Sequence, residues 1–403
     1  MSNQNTYCVL PWLNITVDPN GDIKPCCVSS DFIKKTDGTH FNLGNDSIED
    51  IYNSPDYLNI RKQMLDGEQV SGCAYCYKHE SLGGNSQRIL YNEKWKDQKF
   101  TNVSADINIK YFDLRFGNLC NLSCRSCNSK NSSKFAKVLD ELRDTEINKF
   151  HSDYNLTIDE WYNTEMFEKN IESQLSNVTM LYLTGGEPTV INKNIEMLER
   201  LESFGYSKNI TLVINSNMTN LNSTFYKLLA KFKLVVFFAS IDGVGDIQEY
   251  LRYPSTWSQI DKNIRTLLTY PNFMIRPTPV IQITNLNKIV DLFEYFESFN
   301  RKQGKAVADI MPIILENPSY LNLSYLPKEY RMMCWDRIQT WLDTKCKFQS
   351  PLFYNKIKAL KNKCLKDVEP GGNLKRYVEF NSILDNHWQH HLRSVNPELY
   401  NIL

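Results

Sequence analysis

Three cysteines, Cys120, Cys124 and Cys127, fall within Gly117-Asn118-Leu119-Cys120-Asn121-Leu122-Ser123-Cys124-Arg125-Ser126-Cys127. They follow the alternating run Tyr111-Phe112-Asp113-Leu114-Arg115-Phe116, which reads as a strand. Thiolates at i, i+4 and i+7 on a short loop can each take one iron of a [4Fe–4S] cube, for which cysteine is the usual ligand. Three ligands leave the fourth iron open to something other than protein. A structural zinc site wants four ligands in paired spacings, which the triplet lacks. A disulfide reading fails as well, since three is odd and no secretory signal is read in the polar start Met1-Ser2-Asn3-Gln4-Asn5.

A second set of cysteines lies nearer the N-terminus. Cys8 precedes an alternating run from Leu13 to Val17, the turn Asp18-Pro19-Asn20-Gly21 and a strand that leads to Cys26 and Cys27. Asn-Gly between two alternating runs is a hairpin signal, and the hairpin brings Cys8 and Cys26 to neighbouring strand ends. Cys73-Ala74-Tyr75-Cys76 adds two thiolates on one turn, after a stretch from Ile48 to Asp66 that reads as helix with a break at Asn53-Ser54-Pro55. Four cysteines make a closed site, and spacing alone leaves zinc and a [4Fe–4S] cluster both open.

The elements that must hold these residues alternate. Strands are expected near 110–116, 179–183, 210–214, 234–240, 274–283 and 306–314, with helices near 131–142, 192–204, 221–231, 257–269 and 286–298. Strict alternation predicts an α/β fold with a parallel sheet, whose ligand groups come from loops at the carboxyl ends of the strands. Residues 81–104, with Gly83-Gly84-Asn85-Ser86, read as a linker, and the polar, aromatic segment 143–170 as a surface excursion or a lid. Residues 316–403 read as a helical cap. Cys334, Cys346 and Cys364 lack tight pairing and read as ordinary thiols, and His387, His390 and His391 as solvated side chains.

Composition narrows the function classes. The 403 residues suffice for two or three domains, and 46 basic against 46 acidic side chains give no sign of a nucleic-acid or anionic-membrane partner. The longest strongly apolar run, Leu234 to Ala239, is far below the roughly 20 residues of a membrane span. Eleven cysteines, seven of them in motif-like settings, point to metal in a reducing cytoplasm.

The triplet after a first strand resembles the radical S-adenosylmethionine (SAM) superfamily, in which the open iron chelates the methionine end of SAM. Leu183-Thr184-Gly185-Gly186-Glu187-Pro188 is similar to that family's GGE motif, which implies that Gly185, Gly186 and Glu187 bind the methionine amino group. Asn215-Ser216-Asn217 resembles its Thr-Asn-Gly turn, with Asn217 in the Asn position and Met218 where Gly is usual. Ser240-Ile241-Asp242-Gly243 matches its Ser-(Ile/Leu)-Asp-Gly pattern, so Ser240 and Asp242 would face the ribose or carboxylate. Arg252 corresponds to an arginine that relatives point at the SAM carboxylate, and 280–285 would bound the adenine. Ser126 stands where relatives often carry an aromatic residue.

The N-terminal region resembles the SPASM/twitch auxiliary-cluster module. The likeness rests on Cys8, Gly21, Cys26, Leu43-Gly44-Asn45, Ile51-Tyr52-Asn53-Ser54, Arg61, Met64 to Glu68, Cys73 and Cys76. It implies an auxiliary [4Fe–4S] cluster on Cys8, Cys26, Cys73 and Cys76, with Cys26 favoured over Cys27 by the family spacing. The module normally follows the catalytic barrel, and here it precedes it. The resemblance therefore implies a partial (βα)6 TIM-type barrel over 105–315, the auxiliary module and linker over 1–100, and a cap over 316–403. It further implies reductive cleavage of SAM to a 5′-deoxyadenosyl radical that abstracts a substrate hydrogen, with a low-potential electron donor such as flavodoxin or ferredoxin. The implied net reaction is oxidation or cross-linking of a peptide. The alternatives are oxidation of a sugar or aminoglycoside-type small molecule, or a non-catalytic iron–sulfur or zinc scaffold.

Overall fold

The computed structural model describes residues 6–81, 84–104, 106–151, 158, 160–369 and 371–403. The N-terminal pentapeptide, Gly83 and part of the 143–170 segment (152–157 and 159) lie outside the described residues. Strands run in the order β1 (Asn14–Val17), β2 (Ile23–Lys24), β3 (Tyr111–Leu114), β4 (Ser123–Cys124), β5 (Met180–Leu183) and β6 (Thr211–Ser216). They continue with β7 (Leu234–Ala239), β8 (Arg252–Tyr253), β9 (Phe273–Pro277), β10 (Val280–Ile281) and β11 (Ile313–Ile314). The chain forms two compact units, one from Met1–Asn118, Thr157–Val213 and Lys231–Lys233, the other from Leu119–Leu156, Ile214–Ala230 and Leu234–Leu403.

In the first unit the strand order is β2-β1-β3-β5-β6. The N-terminal hairpin is thus part of the main sheet. β1 pairs antiparallel with β2 through Thr16↔Lys24 and parallel with β3 through Asn14↔Tyr111 and Thr16↔Asp113. All four β1 residues are buried, so the strand's amides and carbonyls need partners on both edges. β2 serves one edge and β3 the other. The hairpin turn forms as its residues dictate: the Asp18 carboxylate accepts from the Asn20 and Asp22 amides, and Gly21 takes φ +92°. The break at Ser54-Pro55 is also present. Ser47 and Ser54 cap the helices Ile48–Tyr52 and Pro55–Asp66, and Gly67 ends the second in the left-handed region.

Two stretches differ from expectation in this unit. The linker contains the helix Gln87–Lys94, capped by Ser86, and its buried Arg88 pairs with Glu80. Arg88 and Asn92 both donate to the Tyr7 carbonyl, so the segment braces the chain next to Cys8. The 143–170 stretch is no plain surface excursion either. Trp161 is buried, its indole N–H donates to the Pro19 carbonyl, and its ring fills the space a side chain at Gly21 would need. Its aromatic character is explained by packing on the hairpin.

In the second unit β7 and β9 are parallel, from Val235↔Phe273 to Ala239↔Pro277. The expected strand 274–283 divides into β9 and β10 because Pro277 and Pro279 lack the amide that a ladder requires. β10 pairs parallel with β11, and a bridge between Ile275 and Ala308 lays this last strand segment beside β9. Barrel strands β3, β5, β6, β7, β9–β10 and β11 alternate with helices, which is the partial (βα)6 architecture. Cys334 and Cys364 are buried thiols on the helices Lys328–Thr344 and Pro351–Leu365. Among the described residues, no helix is long and apolar enough to cross a membrane.

Candidate functional site

In the first unit, Cys8 precedes the one-turn helix Leu10–Leu13, which feeds β1, and Cys26 lies two residues beyond β2. Cys73 ends the turn Ser71–Cys73, which runs directly into the helix Ala74–Ser81 carrying Cys76. The fold brings these four together. Cys8 feels the charges of Cys26, Cys73 and Cys76, and Cys26 feels those of Cys73 and Cys76. Cys27 differs in its surroundings: after burial, its strongest electrostatic neighbour is Asp113 on β3, followed by Cys26. Both thiols lie past β2, where the Ser29 amide donates to the Cys26 carbonyl at 3.2 Å and closes a turn. Burial pushes Cys26 and Cys73 up to about 12, so metal binding here would release protons. Arg61, fully buried over the Tyr52 ring at 3.6 Å, donates to the carbonyls of Pro11 and Tyr52 and fixes the chain after Cys8.

Gly185, Gly186 and Glu187 follow β5 in the same unit. Both glycines have positive φ, 84° and 53°, and a Cβ at Gly185 would stand 2.8 Å from the Gly117 carbonyl oxygen. Only glycine fits that approach. Glu187 is buried, and one carboxylate oxygen accepts from the Thr189 amide at 3.2 Å and hydroxyl at 2.7 Å, capping the turn Pro188–Val190.

The second unit holds the triplet. β4 pairs antiparallel with β8, with Cys124 opposite Arg252. The Arg252 guanidinium lies 3.8 Å from Cys124 Sγ and reaches both Asp242 oxygens at 2.7 and 3.1 Å. Asp242 also accepts from the Val280 amide at 2.8 Å. Asp242 and Arg252, which the motif pattern aims at SAM, are therefore engaged with each other, because burial of both demands that the charges pair. Burial raises the Cys124 thiol while Arg252 opposes the rise, and Cys127 is pushed up to about 11 by burial. The Leu122 amide donates to Cys120 Sγ at 3.5 Å.

Two further anchors hold this loop. Asn217 Nδ2 donates to Asn121 Oδ1 at 2.8 Å, and Thr219 links both side chains. Met218 adopts φ 65° where relatives have glycine, so the turn keeps the left-handed backbone with a buried side chain. Ser240 at the end of β7 donates its amide to the Ser216 carbonyl, beside that turn. The second anchor is Arg125, which sequence reasoning missed. It is fully buried and donates to Tyr250 O, Asn381 Oδ1 and Asp385 Oδ1, the last at 2.7 Å. Its guanidinium lies 3.7 Å from the centre of the Tyr250 ring. A charged residue between two cysteines was the only sequence signal. The C-terminal histidines are occupied otherwise: His387 faces Glu141 at 3.2 Å and His390 packs edge-on against Tyr250.

Among the described residues, no group of three or more His, Cys, Asp or Glu is arranged to hold a metal ion. A cube spaces its thiolates more widely than a single ion does, because each sulfur binds a different iron. The chemistry of both donor sets fits a cluster: thiols only, gathered from one loop in one case and three segments in the other.

Residues 114–295 match the Radical SAM superfamily, and residues 8–77 match the SPASM iron-sulfur cluster-binding domain. The SPASM match thus lies on the N-terminal side of the Radical SAM match. Iron–sulfur clusters and SAM are the cofactors of these domains. A comparison with curated proteins returned no match. Among solved structures, the chain is similar to native anSMEcpe with bound AdoMet, at 17% identity and a TM-score of 0.39, covering 60% of this chain and 63% of that one. It is also similar to anSMEcpe with bound AdoMet and Kp18Cys peptide, at 18% and 0.37, covering 58% and 61%. A third is Streptococcus suis SuiB bound to precursor peptide SuiA, at 14% and 0.35, covering 85% and 75%. The chain spans less than two thirds of the anSMEcpe chains.

Proposed function

We propose that this chain is a radical SAM oxidoreductase that cleaves SAM at the Cys120–Cys127 loop and removes a hydrogen from a peptide substrate. The observation that carries the reading is the triplet held as one loop, within the radical SAM match, by Arg252, Asn217 and Arg125. Cys120, Cys124 and Cys127 would hold three irons of the SAM-binding cluster, and Cys8, Cys26, Cys73 and Cys76 the four of the auxiliary one. When bound, the SAM-binding cluster and SAM supply a 5′-deoxyadenosyl radical that takes a hydrogen atom. The chain's own residues position SAM and exclude water. The Gly185-Gly186 turn offers close backbone approach, and Glu187 is the carboxylate that would accept the methionine ammonium. Ser240 and Asn217 border the SAM site at the ends of β7 and β6. Arg252 meets the SAM carboxylate only if it exchanges part of its Asp242 pairing. Four thiols leave the auxiliary site no open position, which suits an electron acceptor better than a substrate ligand. The peptide class rests on the SPASM domain, a module that often accompanies peptide-modifying relatives.

The test is deoxyadenosine formation by reduced, reconstituted protein. Changing Cys120, Cys124 and Cys127 together to Ala should remove about half the iron and all SAM cleavage, leaving the auxiliary cluster visible by electron paramagnetic resonance. Glu187→Ala should keep its iron and bind SAM roughly tenfold to a hundredfold more weakly. Absence of deoxyadenosine from fully loaded wild type would instead support a scaffold.

A further inference from the structure

Of the three nitrogens of the Arg252 guanidinium, two face a carboxylate and one faces a thiol. Nε and one terminal nitrogen donate to the two Asp242 oxygens at 2.7 and 3.1 Å, and the other terminal nitrogen stands 3.8 Å from Cys124 Sγ. The guanidinium fork is planar, so holding two nitrogens on Asp242 fixes the direction of the third. Asp242 is held in turn. The Val280 amide donates to one of its oxygens, its own amide donates to Gln248 Oε1, and Asn285 Nδ2 donates to its carbonyl. The pairing of β4 with β8 acts from the other side, setting Cys124 directly opposite Arg252.

Both charged side chains are buried, Asp242 completely. Burial disfavours the charge of Arg252, but Asp242 and then Cys124 more than restore it, so the guanidinium stays charged. Its charge is the strongest effect opposing the rise of the Cys124 thiol, and it is felt at Cys127 as well. Asp242 acts on Cys124 in the opposite sense and more weakly. The charge around an iron–sulfur cluster and the hydrogen bonds to its sulfurs set its reduction potential. Reduction adds one negative charge, so a cation against a ligand sulfur favours the reduced form and an anion behind that cation opposes it. The low-dielectric interior strengthens both effects.

We propose that Arg252 and Asp242 form a pair that sets the reduction potential of the SAM-binding cluster through Cys124, Arg252 raising it and Asp242 limiting the rise. The inference rests on the reading of the triplet as that cluster's ligands. It gives the pair a role in the SAM-free protein, where a contact with the SAM carboxylate has none.

The experiment is a redox titration of the anaerobic, iron-loaded full chain without SAM, followed by electron paramagnetic resonance. The signal that changes when SAM is then added identifies the triplet cluster. Arg252→Gln should make this cluster about tenfold harder to reduce, a fall of about 59 mV for a one-electron couple. Asp242→Asn should move the potential the other way, because the cation then stands unopposed. The auxiliary cluster should keep its wild-type potential in both. Where Arg252→Gln alone loses iron, its combination with Asp242→Asn removes the cation without leaving a lone buried carboxylate, and the potential should still lie below that of wild type. Unchanged potentials in variants that keep the cluster, with only SAM affinity reduced, would overturn the proposal and give the pair to SAM instead. Equal shifts at both clusters, or shifts of one sign in both single variants, would overturn it as well. If neither signal responded to SAM, the triplet would hold no SAM-binding cluster, and the proposed function would fall together with the tuning role.

Discussion

The two cysteine sets solve the same problem by opposite means. The triplet comes from eight consecutive residues, Cys120 to Cys127, and its surroundings come from far away: Arg252 beside Cys124, Asn217 beside Asn121, and Asn381 and Asp385 on Arg125. The N-terminal set is collected from three separate segments, so its geometry depends on the hairpin, the Ser71–Ser81 region and the buried Arg61. In the first case the sequence supplies the ligands together and the fold must supply rigidity. In the second the fold must supply the ligands themselves. A local donor set should therefore tolerate strain that a distributed one does not, while being more exposed to loss of its outer anchors.

The largest expected effect separates Cys26 from Cys27. Cys26→Ala should abolish auxiliary-cluster occupancy, because a distributed site has no substitute ligand facing the same way. Cys27→Ala should leave it near the wild-type level. Iron content and the electron paramagnetic resonance signal of the triplet-deficient background read this directly, and equal losses would mean that the two thiols share a face.

Next comes the anchor of the local set. Arg125→Met leaves Asp385 charged and buried without its cation, which should lower stability by about 3–5 kcal/mol. Adding Asp385→Leu should restore much of this, since removing both partners is far less harmful than removing one. Denaturant unfolding of the loaded protein measures both. If the single variant lost no stability, the long-range anchoring of the triplet would be decorative.

The smallest effect concerns Asp113, which lies between strand and hairpin and faces Cys27. Its carboxyl is raised to about 6 in the folded protein by burial, against Arg115 and Lys24, with Tyr111 and Tyr182 also nearby. A raised carboxyl favours the folded state below its unfolded value and loses that contribution as pH rises through about 6. Asp113→Asn should therefore match wild type near pH 4 and exceed it by roughly 3 kcal/mol above pH 7. A gap that did not change with pH would remove the ionised carboxylate from the account.

Much of this was legible in the residues. The triplet, the paired glycines after β5 and the Ser54-Pro55 break are local signals, and each stands where its neighbours dictate. The barrel strands followed from alternation because each is an apolar run bounded by helix. What escaped was everything that depends on distant partners. No local pattern tells that β1 pairs with β3, a hundred residues on, or that Trp161 needs the missing side chain of Gly21. Nothing in the sequence marks Arg88 and Arg125 as buried, since a guanidinium can hide only where several carbonyls and a carboxylate happen to converge. Asp242 and Arg252 were both candidates to face SAM, but sequence could not show that they would pair with one another.

The grip of Asn381 on Arg125 spans 256 residues, and this has a consequence for the protein's birth. At about 5–20 residues per second, a ribosome needs roughly 10–50 s to pass from the cluster loop to the helix Asn373–Trp388. For that interval Cys120, Cys124 and Cys127 have left the tunnel while the helix that carries Asn381 and Asp385 does not yet exist. During that interval the loop has the Asn217 and Arg252 contacts but not the hold of Asn381 and Asp385 on Arg125. The helix Asn373–Trp388 thus completes the hold on the cluster loop about 250 residues after the loop itself is made.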